Sequence, residues 1–286
     1  MNLNLNEITF IIVTYKAKQV IYNCINSLPK FSKLIIVENS HDENLKADLE
    51  NKYDNIEVIL NENQGMGASN NIGIKKATTK FAFVLNPDVI FRENAFSNLI
   101  EAAKNIDDFS IISPINEDKL FPNYEIKNNY PNINNNILEV DIIDGCSMLI
   151  NKSKFKDENY FDENFFLYLE NTDLCLRQKN KKEKLYIIKD SIISHLGSYT
   201  TKLNNSNNLE YVRNWHWMWS KFYFNKKHYG YFVAILKSFN NLVSASLKYI
   251  FYTLIFNKHN KTIYKMRFLG LINSMIGKKS YLRSKN

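Results

Sequence analysis

Glycine is scarce in this chain, with 8 residues in 286, alongside 5 prolines and 3 cysteines. No glycine- or serine-rich stretch marks a linker and no internal repeat is found, so a domain boundary has to be sought in charge and composition. Cys24, Cys146 and Cys175 are odd in number and lack metal-binding spacing. A disulfide framework is therefore disfavoured, and a reducing compartment, the cytoplasm, is the default. Long apolar runs are also missing near the N-terminus. No basic segment precedes Ile8–Val13, and that run is too short for a signal peptide or a membrane span. It reads as a first β-strand. Where many proteins place Gly, Arg or Glu, the surface-like stretches carry Asn and Lys, which we ascribe to nucleotide composition of the genome and not to function.

Acid is the other absence, and it is local. Glu210–Asn286 holds 14 Lys or Arg and one acid, which leaves 23 basic against 28 acidic residues before it. A basic tail can meet nucleic acid or anionic lipid, and its neighbours decide which. Here they are apolar. Tyr211, Trp215, Met218, Trp219 and Phe222 recur at helical spacing. So do Ile235, Leu236, Phe239, Leu242, Val243, Leu247, Ile250, Phe251 and Leu254, opposite Lys237, Asn240, Asn241 and Lys248. These are amphipathic helices. The first is expected to pack on the body of the protein. The later one is expected to lie on an anionic membrane, where each nearby Lys or Arg contributes about 1 kcal/mol, since Lys and Asn interrupt it too often for a span. The run Asn204–Asn208 and the charge shift place the boundary: residues 1–208 as one α/β domain and 209–286 as a helical extension, a division the length allows.

In the first half, β-branched apolar runs alternate with helical patterns: Phe10–Val13 then Val20–Leu28, Leu34–Val37 then Leu45–Tyr53, Val58–Leu60 then Ala68–Ala77, Phe81–Leu85 then Ala95–Ala103, and Ser110–Ser113. This predicts a mainly parallel sheet with helices on both faces. Ligands of such sheets gather at the carboxyl ends of strands. Those ends are polar here: Thr14-Tyr15-Lys16, Glu38-Asn39-Ser40, Asn61-Glu62-Asn63 and Asn86-Pro87-Asp88. The Asn-dense segment Asn116–Glu139, with Pro122 and Pro131, reads as a long irregular excursion that shapes an acceptor site. Val140–Ile150 reads as a strand interrupted at Asp144-Gly145, where glycine lets backbone approach a ligand or simply forms a bulge.

Taken in order, Ile12-Val13-Thr14-Tyr15, Ile36-Val37-Glu38-Asn39-Ser40, Asn63-Gln64-Gly65-Met66-Gly67 with Asn70-Asn71-Ile72-Gly73, and Asn86-Pro87-Asp88 resemble glycosyltransferase family 2, and its bacterial rhamnosyltransferase-like members most closely. The resemblance continues through Asp144–Ile150, Phe161–Phe166, Glu170–Arg177 and His195–Ser198, about two-thirds of the chain. It implies a GT-A fold and an inverting transfer of sugar from a nucleotide-diphosphate donor, with dTDP-L-rhamnose the leading donor and a UDP-hexose the alternative. The implied acceptor is a glycan or lipid-linked species of surface polysaccharide synthesis, met at the inner face of the membrane. It also implies Mg²⁺ or Mn²⁺ held by Asp88 and His195. Hard oxygen ligands suit those ions, and a cation stabilises the departing diphosphate.

The resemblance assigns the nucleotide-sugar to Thr14, Tyr15, Glu38, Asn39, Asn63, Gly65, Gly67, Asn71, Asn86, Asp88 and Gly145. Relatives usually carry Asp where Glu38 stands. They also commonly carry an Asp, the proposed base, where Asn171 stands, which leaves Glu170, the first choice, or Asp173 for that role; Asp173 with Arg177 is also an i,i+4 ion pair. Two other classes fit less well. A sugar nucleotidyltransferase should have a glycine-rich basic loop after the first strand, and Thr14-Tyr15-Lys16-Ala17 offers none. A non-enzymatic nucleic-acid-binding protein would account for the basic tail but not for the polar strand ends.

Overall fold

The apolar runs of the first half form parallel strands: β1 (Ile8–Thr14), β2 (Lys33–Glu38), β3 (Ile56–Leu60) and β4 (Phe81–Leu85), with α1 (Lys18–Ser27), α2 (Glu43–Lys52) and α3 (Met66–Lys76) crossing between them. The structure is a computed structural model that describes residues 3–130, 134–195 and 207–283. Pro131, the Leu196–Ser198 part of the last motif and most of the Asn204–Asn208 run lie outside the described residues. Two compact units emerge, Met1–Asp162 with Asn171–Tyr199, and Glu163–Glu170 with Thr200–Asn286.

After β4 the first unit continues through β5 (Val89–Phe91), α4 (Ala95–Lys104), β6 (Ile111–Asn116), β7 (Tyr124–Glu125), β8 (Ile137–Glu139), β9 (Ile142–Ile143), β10 (Ser147–Asn151), α5 (Glu170–Asn180) and β11 (Leu185–His195). The sheet runs β3-β2-β1-β4-β10-β6-β11-β5, with β8 also on β11. β10, β5 and β8 oppose the direction of the other strands, so the sheet is mainly parallel. The chain winds outward from β1 to β3, then returns to lay β4 on the other side of β1. The ends of β1 and β4 thus flank a topological switch point, where α/β sheets open a crevice.

All seven residues of β1 are buried, as they must be when helices cover both faces. Ile8, Phe10 and Ile12 face α1, α2 and α4 through Ile21, Leu45 and Leu99, among others. Ile11 and Val13 face the opposite core with Ile74 of α3 and Leu174 of α5. α3 lies close because Gly73 has no side chain: a β-carbon there would stand 2.4 Å from Ile11 Cγ2.

Two segments differ from the sequence reading. Asn116–Glu139 is not wholly irregular, since it contributes β7 to a ribbon with β9 and β8 to the main sheet. Strands of two and three residues are too short to leave a periodic signal. Val140–Ile150 is two strands in two sheets, split by the turn at Asp144-Gly145.

The second unit is built from α6 (Asn207–Tyr229), α7 (Tyr231–Leu254) and α8 (Lys258–Met275). Trp215, Met218, Trp219 and Phe222 are buried along α6. Gly270 lets α8 close on α6, because a β-carbon there would meet the Trp215 carbonyl oxygen at 2.2 Å. Residues 163–170 join this unit through Phe165 against Tyr223 and a Ser220 hydroxyl that donates to the Leu167 carbonyl at 2.7 Å. The apolar positions of α7 divide in two. Ala234, Ser238 and Ala245 are buried, with Ile235 and Leu242 packed on the α6–α8 core. Phe232, Leu236, Phe239, Leu247, Ile250 and Leu254 are exposed, Phe232 at 82% and Leu236 at 75%.

Candidate active site

The strand ends are tied to one another before any ligand is considered. The Thr14 carbonyl accepts from Asn39 N at 2.8 Å, and Asn39 Oδ1 accepts from the Ser69 hydroxyl at 2.8 Å and from Asn61 Nδ2 at 2.9 Å. The carboxyl ends of β1, β2 and β3 and the first turn of α3 are fixed by this network. Thr14 is fully buried and its hydroxyl has no hydrogen-bond partner among the described residues; Tyr15 beside it is half-buried.

Glu38 is also fully buried, and its oxygens are occupied locally. They accept from Ser40 N at 3.0 Å, from Asp42 N at 2.6 Å and from the Ser40 hydroxyl. Asp42 in turn caps α2 by accepting from Leu45 N at 2.9 Å. The geometry therefore has Glu38 folding the loop after β2 rather than reaching outward.

Asn63 Oδ1 accepts from Gly65 N at 3.2 Å. Gly65 has φ 105°, a conformation that side-chain-bearing residues avoid. It leads into α3, with Gly67 buried in the first turn and the early amides of the helix available to an anion. Asn71 faces the interior: its Nδ2 donates to the Phe161 carbonyl at 2.8 Å, and Phe161 N donates to its Oδ1 at 2.9 Å. It clamps one backbone position to α3.

Beyond β4, Asn86 N donates to the Cys146 carbonyl at 2.9 Å and Val89 N donates to the Asn86 carbonyl at 3.2 Å, which closes a turn through Pro87 and Asp88. β5 follows at once and pairs antiparallel with β11, setting Val89 opposite His195. This three-residue pairing brings the two sequence-distant ligand candidates together, with His195 Nε2 3.4 Å from Asp88 Oδ1. The same nitrogen is 3.3 Å from the Asn86 side-chain amide. Neutral, it accepts from Asn86; protonated, it donates to Asp88. Burial disfavours the charged ring, but the Asp88 hydrogen bond and the charges of Asp88 and Asp144 outweigh it and raise the His195 pKa above the ordinary value. Asp88 itself is 6% exposed.

A carboxylate and an imidazole side by side suit a divalent cation that also takes oxygens from a bound diphosphate. Among the described residues, no cluster of three or more His, Cys, Asp or Glu could hold a metal without such help. The cysteines offer no alternative chemistry, because burial pushes the Cys24 and Cys175 thiols up to about 12 and Cys146 well above its ordinary value.

The two base candidates of α5 differ in setting. Asp173 is fully buried, accepts from Arg177 Nε at 2.8 Å, and is held by an arginine that also donates to the Asn159 and Tyr160 carbonyls. Glu170 is the half-buried first residue of the helix and falls in the second unit. Asn171 donates through Nδ2 to the Ile143 carbonyl at 3.1 Å and to Asp144 Oδ1 at 3.3 Å. Gly145 meets that same residue, since a β-carbon there would lie 3.5 Å from Asn171 Cβ. Asp144, exposed at the turn, is the carboxylate that sequence reasoning passed over. Its only sequence signal is its place before Gly145 in a chain that lacks an acid at Asn171.

A mainly parallel sheet with helices on both faces and polar strand ends about a switch point is the architecture of GT-A glycosyltransferases. Two solved structures share it: GalNAc-T7 with UDP, GalNAc and Mn²⁺ (TM-score 0.54, 14% identity, 66% of this chain and 43% of that one), and the mannosyltransferase PcManGT of Pyrobaculum calidifontis in complex with GDP-Man and Mn²⁺ (TM-score 0.58, 10% identity, 96% and 88%). The chain belongs to glycosyl transferase family 2, whose sequence profile matches residues 9–158. Similar proteins include the low-salt glycan biosynthesis hexosyltransferase Agl10 of Haloferax volcanii, 27% identical over 196 residues, which cover 62% of this chain and 63% of the relative. Another is the rhamnosyltransferase WbbL of Escherichia coli K12, 28% identical over 172 residues, or 50% and 65%. The match thus spans just under two-thirds of either relative.

Proposed function

We propose that the chain is an inverting glycosyltransferase that moves a sugar from a nucleoside-diphosphate donor to a glycan or lipid-linked acceptor of surface polysaccharide. The observation that carries this reading is the Asp88–His195 pair at 3.4 Å beside the switch point of a family 2 sheet. Asp88 and His195 would hold Mg²⁺ or Mn²⁺, and the ion, when bound, offsets the charge that collects on the departing diphosphate. Asn86 lies beside them on the sugar side. Thr14, Tyr15, Asn39 and Asn63 line the nucleotide end on loops braced by Glu38, and Gly65 and Gly67 present the amides of α3. Asn71 supports this wall from behind. A sugar nucleotidyltransferase shares the sheet but not the loop after β1. dTDP-L-rhamnose is the first donor to try, on the likeness to a rhamnosyltransferase, and UDP-hexoses come second, on the likeness to a hexosyltransferase. A thermal-shift panel of dTDP, UDP and GDP with and without Mn²⁺ tests the reading, because a ligand of the native state raises apparent stability. Asp88→Ala should lose the Mn²⁺-dependent part of the shift. No shift with any nucleotide would reject the proposal.

A membrane contact, where a lipid-linked acceptor would be met, is supported by α7. Exposed Phe232, Leu236, Phe239, Val243, Leu247, Ile250 and Leu254 recur three or four residues apart along 24 residues, in a unit with a single acid among its last 77 residues. No helix among the described residues is long and apolar enough to cross a membrane. The face suits a helix lying in the headgroup layer of an anionic leaflet, with basic side chains nearby. Sedimentation with phosphatidylglycerol vesicles should carry the chain down, phosphatidylcholine vesicles much less, and Phe232→Ser/Leu236→Ser should weaken binding. Unchanged sedimentation of the variant would exclude this face.

A further inference from the structure

We propose that Asp144 is the base that takes the acceptor proton, in place of the carboxylate that relatives carry at the position of Asn171. The inference rests on the transferase reading and goes beyond it by naming a residue to which the family resemblance gives no role.

Asn171 sits at the start of α5, and its side-chain amide reaches across to Asp144 Oδ1 at 3.3 Å. The carboxylate is therefore one hydrogen bond away from where the usual acid would stand. An amide at residue 171 is what an acid at residue 144 requires: it donates to the ionised oxygen, whereas a second carboxylate would repel it and raise its proton affinity. Gly145 N donates to the same oxygen at 3.2 Å. Asp144 N donates to the Asn123 carbonyl at 2.8 Å, and Asn123 is buried and bonded to Asn116 N and the Pro114 carbonyl. Backbone and one oxygen are thus fixed. The other oxygen, Oδ2, has no partner, and no Lys or Arg pairs with Asp144, among the described residues. The residue is exposed, so a proton it takes can return to water.

Its place at the site follows from the sheet. The Cys146 carbonyl accepts from Asn86 N, so the turn at Asp144-Gly145 runs past the end of β4 next to Pro87-Asp88. Asp173, by contrast, is sealed in an ion pair with Arg177 and would have to break it to accept a proton.

In the step assigned here, Asp144 Oδ2 removes the acceptor hydroxyl proton while that oxygen forms its bond to the anomeric carbon. The bond from that carbon to the diphosphate oxygen breaks on the opposite face, and its electron pair leaves with the nucleoside diphosphate. Configuration inverts, and Asp144 is left neutral. Asn171 is then a positioning residue.

The test uses the full chain with Mn²⁺. It measures nucleoside diphosphate released from dTDP-L-rhamnose, UDP-glucose or UDP-galactose in the presence of a panel of free and polyprenyl-linked saccharides. Asp144→Asn should lower kcat by about 100-fold or more while keeping its melting temperature and its nucleotide-dependent shift. Glu170→Gln is measured beside it, and a larger loss of kcat in that variant than in Asp144→Asn returns the role to Glu170 and overturns the assignment. Asn171→Asp alone should slow the enzyme, and Asp144→Asn/Asn171→Asp should be faster than Asp144→Asn, because the swap exchanges the two ends of one hydrogen bond. An Asp144→Asn variant close to wild type, or an Asn171→Asp variant faster than wild type, overturns the assignment. A wild-type chain that releases nothing from any donor removes the transferase reading itself, a distinguishable failure.

Discussion

His216 gives the second unit a pH dependence that can be worked out from its surroundings. The ring is fully buried between Phe166 and Trp215, Nε2–H donates to the Leu282 carbonyl at 2.7 Å, and Nδ1 faces the Ser280 hydroxyl at 2.9 Å. Burial, aided by the Arg283 charge and opposed by the Leu282 bond, lowers its pKa from 6.5 to about 4. The folded state thus holds a neutral ring where the unfolded chain holds a charged one at mildly acidic pH. Because the folded value is the lower one, the stabilisation is complete above pH 6.5 and is lost as pH falls toward 4. At 1.36 kcal/mol per unit the loss is about 3 kcal/mol. The comparison is His216→Gln, whose amide can still donate to Leu282 but does not titrate. Urea unfolding of both proteins from pH 7.5 to 4.5 should show the wild type losing about 2–3 kcal/mol relative to the variant, with the change confined to pH below 6.5. Parallel curves over that range would refute a buried neutral histidine.

Other consequences concern packing and the ion. Gly270→Ala ordinarily favours a helix by about 1 kcal/mol. Here the new β-carbon meets backbone oxygen of Trp215 at 2.2 Å, so overpacking should reverse the sign and lower the melting temperature; a raised one would contradict the α6–α8 contact. Asn71→Ala strands the Phe161 N–H and carbonyl in a buried setting and should cost about 2–4 kcal/mol in denaturant unfolding, with a loss below about 1 kcal/mol excluding the clamp. His195→Gln should move the Mn²⁺ concentration that half-saturates the nucleotide-dependent thermal shift upward and leave the metal-independent shift in place; equal Mn²⁺ dependence would remove His195 from the ion's shell.

What the sequence could and could not disclose follows from the range of each interaction. β1, β2 and β4 were legible because a strand buried on both faces must be apolar, and each run ends where the chain turns polar; β3, outermost in the sheet with Glu57 exposed, was legible only through Val58–Leu60. The helices between them were legible by period for the same reason. β5 was not, because three residues carry no period, yet its pairing with β11 is what sets His195 beside Asp88. The resemblance named both residues; only topology supplies the 3.4 Å. Glu38 was chosen for ending a strand, but whether such a carboxylate faces outward depends on the next four residues, and here Ser40 and Asp42 fold back onto it. Asn171 and Asp144 make the same point from the other direction. Each looks like a local oddity in its own motif, an amide where an acid is usual and an acid before a turn glycine. Only when α5 lies against the β9–β10 turn do they become one hydrogen-bonded pair, with the acid on the turn and the amide on the helix.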